Sequence, residues 1–136
     1  MIPKFRAWDK NTNDMVDVKT IDLEKDGSIG CIVDYNGINL DVSECILMQS
    51  TGLKDLNGVE IFEGDIVSVR NHPFQKTESS VGIEIDGDYK VSWNEYDLTW
   101  CAGNLLLARI KPYVTVIGNV YEDGDLLNDS EDTKRN

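Results

Sequence analysis

The chain has 136 residues, 40% of them apolar and 8% aromatic, with a formal net charge of −12. That length supports one domain with a core that needs no disulfide or metal staple. The totals argue against a membrane-spanning helix, since no apolar run approaches the ~18 residues required. They also argue against a nucleic-acid binder, because the excess acid repels phosphate and no Lys/Arg-rich run offsets it.

Residues 122–136 carry six acids and two bases, leaving 19 acids against 11 bases on residues 1–121. The acidity is read first as a solubility device. The start, "MIPKFRAWDK", lacks the apolar stretch of a signal peptide. Cys31, Cys45 and Cys101 are odd in number, far apart in sequence and set among apolar or small residues. They read as buried free thiols of a reducing cytosol, not as a disulfide framework or a zinc site.

In chain order, "KFRAWD" predicts a first strand and "MVDVKTIDL" a second, whose alternation slips near Thr20–Ile21 as at a bulge. "SIGCIVDY" places Ile29, Cys31, Val33 and Tyr35 on one face by period 2. "INLDV" returns after the Asn36-Gly37 turn, which completes an antiparallel β-meander over residues 1–50. A helical turn at "DVSE", capped by Asp41 or Ser43, precedes a connecting strand from Cys45 to Ser50.

The second block opens on "VEIF", the "EGD" turn and "DIVSVR". A long loop, "NHPFQKTESS", leads to a hairpin about Asp86-Gly87, with Ile83 and Ile85 before it and Tyr89, Val91 and Trp93 after it. "NLLLARI" is too short for periodicity to choose between strand and helical turns, so the conformation of residues 102–111 stays open. "YVTVIGNVY" is apolar on both faces and predicts a central strand. Residues 122–136 form an acidic, flexible tail, from which Leu126-Leu127 tuck back onto the body. The whole is a mainly β protein with little helix. Residues 1–121 form a single compact domain, and residues 51–121 an SH3-like small barrel joined to the N-terminal meander.

Chemistry is scarce. His72 is the one histidine and reads as an exposed loop residue. There is no G-x-S-x-G, no H-E-x-x-H and no phosphate-binding loop. Acid pairs such as "EGD" and "DGDYK" lack the ligand series of a calcium loop. No catalytic, cofactor or metal residue is assigned. Three aromatics in the least regular segments, Phe74, Tyr96 and Trp100, are the candidates for a partner surface, a groove that takes a protein segment.

"TGLKDLNGVEIFEGDIV", Thr51 to Val67, is dense in turn chemistry. Asp55 is placed to accept a backbone N–H two residues on. Gly58 and Gly64 take the left-handed conformation, and Asp65 bonds amides across the second turn. Thr51, Gly52, Leu53, Asp55, Gly58, Glu63, Gly64 and Asp65 thus read as scaffold, not as an active site.

On "FRAWDK" (Phe5 to Lys10) with Met15, "LMQSTGLKDLNGVEIFEGDIV" (Leu47 to Val67) and "VIGNVYEDGDLL" (Val116 to Leu127), the sequence resembles the YopX family of phage and prophage proteins. The resemblance implies an SH3-type barrel with further β-structure and gives no catalytic residue to carry over. The expected function is a non-enzymatic phage accessory protein in the cytoplasm of the bacterial host. It binds a protein partner, without cofactor, nucleic acid or membrane, and its strand edges leave self-association open. The alternatives are an acidic decoy for a nucleic-acid-binding protein and a metal-dependent hydrolase.

Overall fold

The computed structural model describes residues 4–72 and 85–127. The chain divides into two compact units, Met1–Ser50 and Thr51–Asn136. Both are built from antiparallel strands, so the protein is mainly β.

The first unit is a meander of β1 (Phe5–Asp9), β2 (Asp14–Leu23), β3 (Ile29–Asp34), β4 (Asn39–Asp41) and the start of β5 (Cys45–Lys54), in the sheet order β4-β3-β2-β1-β5. The register of β2 against β3 shifts between Val18 and Thr20 and again between Asp22 and Leu23. The first shift lies where the alternation slips in the sequence. The core is Ala7, Ile32, Leu40 and Cys45, with Val16, Val18, Ile21, Ile29 and Leu47 packed against it. In β3 the buried positions are Ile32 and Asp34, whereas Cys31 and Val33 are half-buried and Tyr35 is exposed. Period 2 alone groups a strand's residues without saying which group faces inward. The helical turn at 42–44 is a 3-10 turn closed by a capping box. Asp41 accepts the Ser43 amide, and Glu44 accepts the Asp41 amide.

The second unit holds the end of β5, then β6 (Glu60–Phe62), β7 (Asp65–Val69), β8 (Gly87–Asn94), β9 (Thr99–Ala102), β10 (Leu105–Leu106) and β11 (Val114–Asn119). Five of these make a sheet in the order β10-β9-β8-β7-β11. Its core is Ile61, Val67, Val69, Val91, Ala102, Leu107, Ile110 and Val114. Residues 105–113 settle as the two-residue strand β10, a one-turn helix Leu107–Ile110 and a 3-10 turn Lys111–Tyr113 that carries Pro112. The helix seats Leu107 and Ile110 in the core.

Three expectations are corrected here. Among the described residues neither sheet closes into a barrel, so the SH3-like detail is not borne out. The chain leaves β10 for the helix after two residues, and the two ends of the five-stranded sheet do not pair. Among the described residues Asp86-Gly87 does not turn a hairpin: Gly87 lies in β8, paired with Val69 of β7, and β8 turns into β9 after Asn94. Ile83 lies outside the described residues. β11 is an end strand, not a central one. Its outer edge is met by chain from its own unit, with Leu56 N donating to Val114 O and Val116 N donating to Asp55 Oδ2. That cover is why an end strand is apolar on both faces.

Candidate functional site

The segment 51–65 is a folding lock. Thr51 is buried and its Oγ1 donates to Ile61 O at 2.8 Å while accepting Leu53 N–H at 3.1 Å. Asp55 is buried. Its Oδ1 accepts the amides of Asn57 (2.8 Å) and Val59 (2.9 Å), and Oδ2 accepts Val116 N–H (2.9 Å). Burial raises the Asp55 pKa, but the amides of Val116, Val59, Asn57 and Gly58 outweigh it and hold the carboxyl below its ordinary value. Gly52, Gly58 and Gly64 have φ of 79°, 83° and 86°. Gly64 is fixed from both sides: its N–H donates to Val91 O and its carbonyl accepts Val120 N–H. Asp65, 2% exposed, accepts Phe62 N–H at 2.8 Å. Glu63, between Phe62 and Gly64, is half-buried.

The same carboxylate device recurs through the fold. Asp34 accepts the amides of Asn36 and Ile38, and Asp34 N donates to Ile38 O, while Gly37 N donates to Asp34 O. Asp55 makes the same four bonds to Asn57, Val59 and Gly58. "DYNGI" and "DLNGV" are therefore one turn built twice. Asp9 accepts Asn11 N–H, Asp26 accepts Ser28 N–H, Asp86 accepts the Asn71 and His72 amides, and Asp123 accepts Asn119 N–H. Much of the acidity of the body thus sits against the chain's own amides.

Three exposed large apolar side chains, Trp93, Tyr96 and Leu98, stand at the end of the β8–β9 hairpin. Trp93 and Trp100 are directly opposite in register. Their rings meet edge-on, with centroids 5.1 Å apart and planes at 70°. They share a face with Val91 and Ala102, which are fully buried, so the pair continues the core toward the hairpin tip. Trp100 packs on that core, whereas Trp93 is 43% exposed. Beyond them the loop is held by Asn94, whose Oδ1 accepts Tyr96 N–H at 2.9 Å and Asp97 N–H at 3.0 Å. Tyr96 is 99% exposed and Leu98 71% exposed. Leu98 has φ of 51°, a left-handed conformation that is unfavourable for a branched side chain. On the other face a cavity of about 660 Å³ is lined by Asn94, Asp97, Thr99, Cys101, Asn104 and Leu106.

Of the residues singled out from the sequence, Tyr96 and Trp100 belong to this hairpin end and Phe74 lies outside the described residues. Trp93 and Leu98 were missed. Trp93 reads as an ordinary inward position, since only its distance from the core reveals its exposure. The exposed apolar residues at the two repeated turns, such as Tyr35 and Leu56, have no aromatic pair beside them.

His72 is half-buried, not an exposed loop residue, with its ring 5.0 Å from that of Tyr113. The three thiols are free. Cys45 and Cys101 are buried, and burial raises the Cys45 pKa. Cys31 is half-buried; its thiol donates to Asp22 Oδ2 at 3.3 Å, and that bond holds its pKa up. Among the described residues no group of three or more His, Cys, Asp or Glu side chains could hold a metal ion. No helix among them is long and apolar enough to cross a membrane.

Fold and site together define a mainly β protein in which many aspartates serve turns and two exposed aromatics, Trp93 and Tyr96, stand at one hairpin end. A family model described as YopX protein matches residues 4–128, and the chain belongs to the YopX family. It is similar to the crystal structure of protein EF1440 from Enterococcus faecalis, at 27% identity and a TM-score of 0.67, over 93% of this chain and 99% of that one. No curated protein matches.

Proposed function

We propose that this chain is a non-enzymatic accessory protein of a phage or prophage, acting in the host cytoplasm by binding a protein through the end of the β8–β9 hairpin. The observation that carries the reading is the clustering there of Trp93, Tyr96, Leu98 and Trp100 about one loop. Tryptophan and tyrosine are the side chains that most often anchor protein interfaces, because they offer large apolar area with few rotors to immobilise. The fold itself has no need of Tyr96 or Leu98, which are exposed.

The decoy reading is the weaker one. It needs carboxylates aimed outward in a stripe, whereas Asp9, Asp26, Asp34, Asp55, Asp65, Asp86 and Asp123 are bonded to backbone amides.

The test is affinity capture of the tagged chain during phage growth, set beside a Trp93→Ser/Tyr96→Ser/Leu98→Ser variant that keeps the wild-type unfolding curve. Proteins that co-purify with wild type and are lost from the variant support the reading. Identical captures from both chains reject it.

A further inference from the structure

The charge at the hairpin end narrows what it can hold. Glu95 and Asp97 flank Tyr96, both are exposed, and their side chains bond no other described residue. They differ in this from the aspartates that lock turns. From Val91 to Ala108 the sequence contains Glu95 and Asp97 and no lysine, arginine or histidine. The cavity beside the loop likewise has a carboxylate, two carboxamides and a hydroxyl in its lining, and no cation. A phosphate-bearing ligand meets only repulsion here. A cationic side chain meets a carboxylate with no competing partner.

Arginine suits this lining better than lysine. Its planar fork donates to a carboxylate and to a neighbouring carboxamide oxygen at once, which the single ammonium of lysine does not match. Asp97 and Asn104 line the cavity on one face of the hairpin, and the Trp93–Trp100 pair lies on the other, with the loop of Tyr96 and Leu98 between them. Leu98, left-handed and exposed, adds apolar surface on the same loop.

We propose that the hairpin end takes an arginine-bearing apolar segment of a partner protein that crosses the tip, with the guanidinium in the cavity against Asp97 on one face and the apolar residues passing over Leu98 to Trp93 on the other. This rests on the reading of the hairpin end as a protein-binding surface.

The probe is a displayed library of random peptides of roughly 12 residues, a length typical of groove-bound segments, selected on the immobilised full chain. Enriched peptides carry arginine beside leucine or an aromatic residue, and on binding they shift the amide resonances of residues 94–106. Their affinity falls about tenfold in Asp97→Asn/Glu95→Gln, a change expected to leave the unfolding curve in place because both side chains are exposed. It also falls when citrulline replaces arginine, and as salt rises from about 0.05 to about 0.5 M. Peptides that are neutral or acidic, indifferent to Asp97→Asn but lost on Trp93→Ser, overturn the arginine proposal and leave the protein-binding surface standing. Failure to enrich any peptide, or peptides that map elsewhere, rejects both. An oligonucleotide that shifts residues 94–106 overturns the proposal as well.

Discussion

Asp55 accepts the amide of Val116, 61 residues further along the chain, at 2.9 Å. The same carboxylate closes its own turn through Asn57 and Val59. One side chain therefore shapes a local bend and terminates the outer edge of an end strand. Asp55→Ala leaves three amides without this acceptor. Bonds to charged groups contribute about 1.5–3 kcal/mol each, and water replaces part of that, so a loss of about 3 kcal/mol is expected. Asp55→Asn keeps one acceptor oxygen for the turn but turns an NH₂ toward Val116 N–H, and should cost about 1–2 kcal/mol. Urea unfolding with an unchanged m-value checks both.

The acid limb of stability follows from the same carboxylate. Its pKa is depressed in the folded chain. The unfolded state therefore takes up the proton first as pH falls. The stabilisation is fully present above the unfolded value, about 3.9 for aspartate. It is lost as pH drops from there through the lower folded value. Asp26 and Asp41, held low chiefly by the side-chain hydroxyls of Ser28 and Ser43, act in the same direction but at exposed sites. In Asp55→Asn the fall in unfolding midpoint between about pH 4 and pH 2 should be shallower than in wild type.

Gly64 and Leu98 both have left-handed backbone, with opposite consequences for mutation. Gly64 cannot rotate away because Val91 and Val120 hold both of its peptide groups. Gly64→Ala should cost about 1–2 kcal/mol. Leu98→Gly relieves strain at an exposed position and should be neutral to stabilising by up to about 1 kcal/mol, after the added freedom of the unfolded chain is subtracted. If Leu98 serves binding, the variant that gains stability loses affinity for selected peptides. Thermal unfolding and peptide binding measured on the same preparations check the pair.

Cys31 is the most accessible thiol of the three, yet its hydrogen bond to Asp22 holds its pKa above the ordinary thiol value. Asp22→Asn removes the charged acceptor, so the thiol pKa should fall toward its ordinary value. Alkylation by iodoacetamide at neutral pH, followed by mass spectrometry of the Cys31 peptide, should then run several-fold faster, since the thiolate is the reacting species. Cys45 and Cys101 should stay slow in both chains until denaturant is added.

The turn grammar was legible and the closure was not. Asn36-Gly37 and Asn57-Gly58 mark their turns by composition alone, because few residues tolerate φ > 0. The aspartate two positions before each pair completes the turn, so "D-x-N-G" followed by Ile or Val was available in the sequence as a repeat. What could not be read is partnership across distance. Nothing near Val116 says that Asp55 will cap it, so an apolar strand with a covered edge looks central. Nothing near Gly87 says that it pairs with Val69 instead of turning. The hairpin end was half legible: Tyr96 and Trp100 stand in irregular sequence, but Trp93 sits in clean alternation, and its exposure depends on where the core stops.

Asn94 braces the loop that carries Glu95, Tyr96, Asp97 and Leu98 with its own side chain, through the amides of Tyr96 and Asp97. The side chains of Glu95, Tyr96 and Asp97 are exposed, so an engineer could exchange them for new recognition without touching the sheet beneath, provided that position 98 still accepts a left-handed backbone.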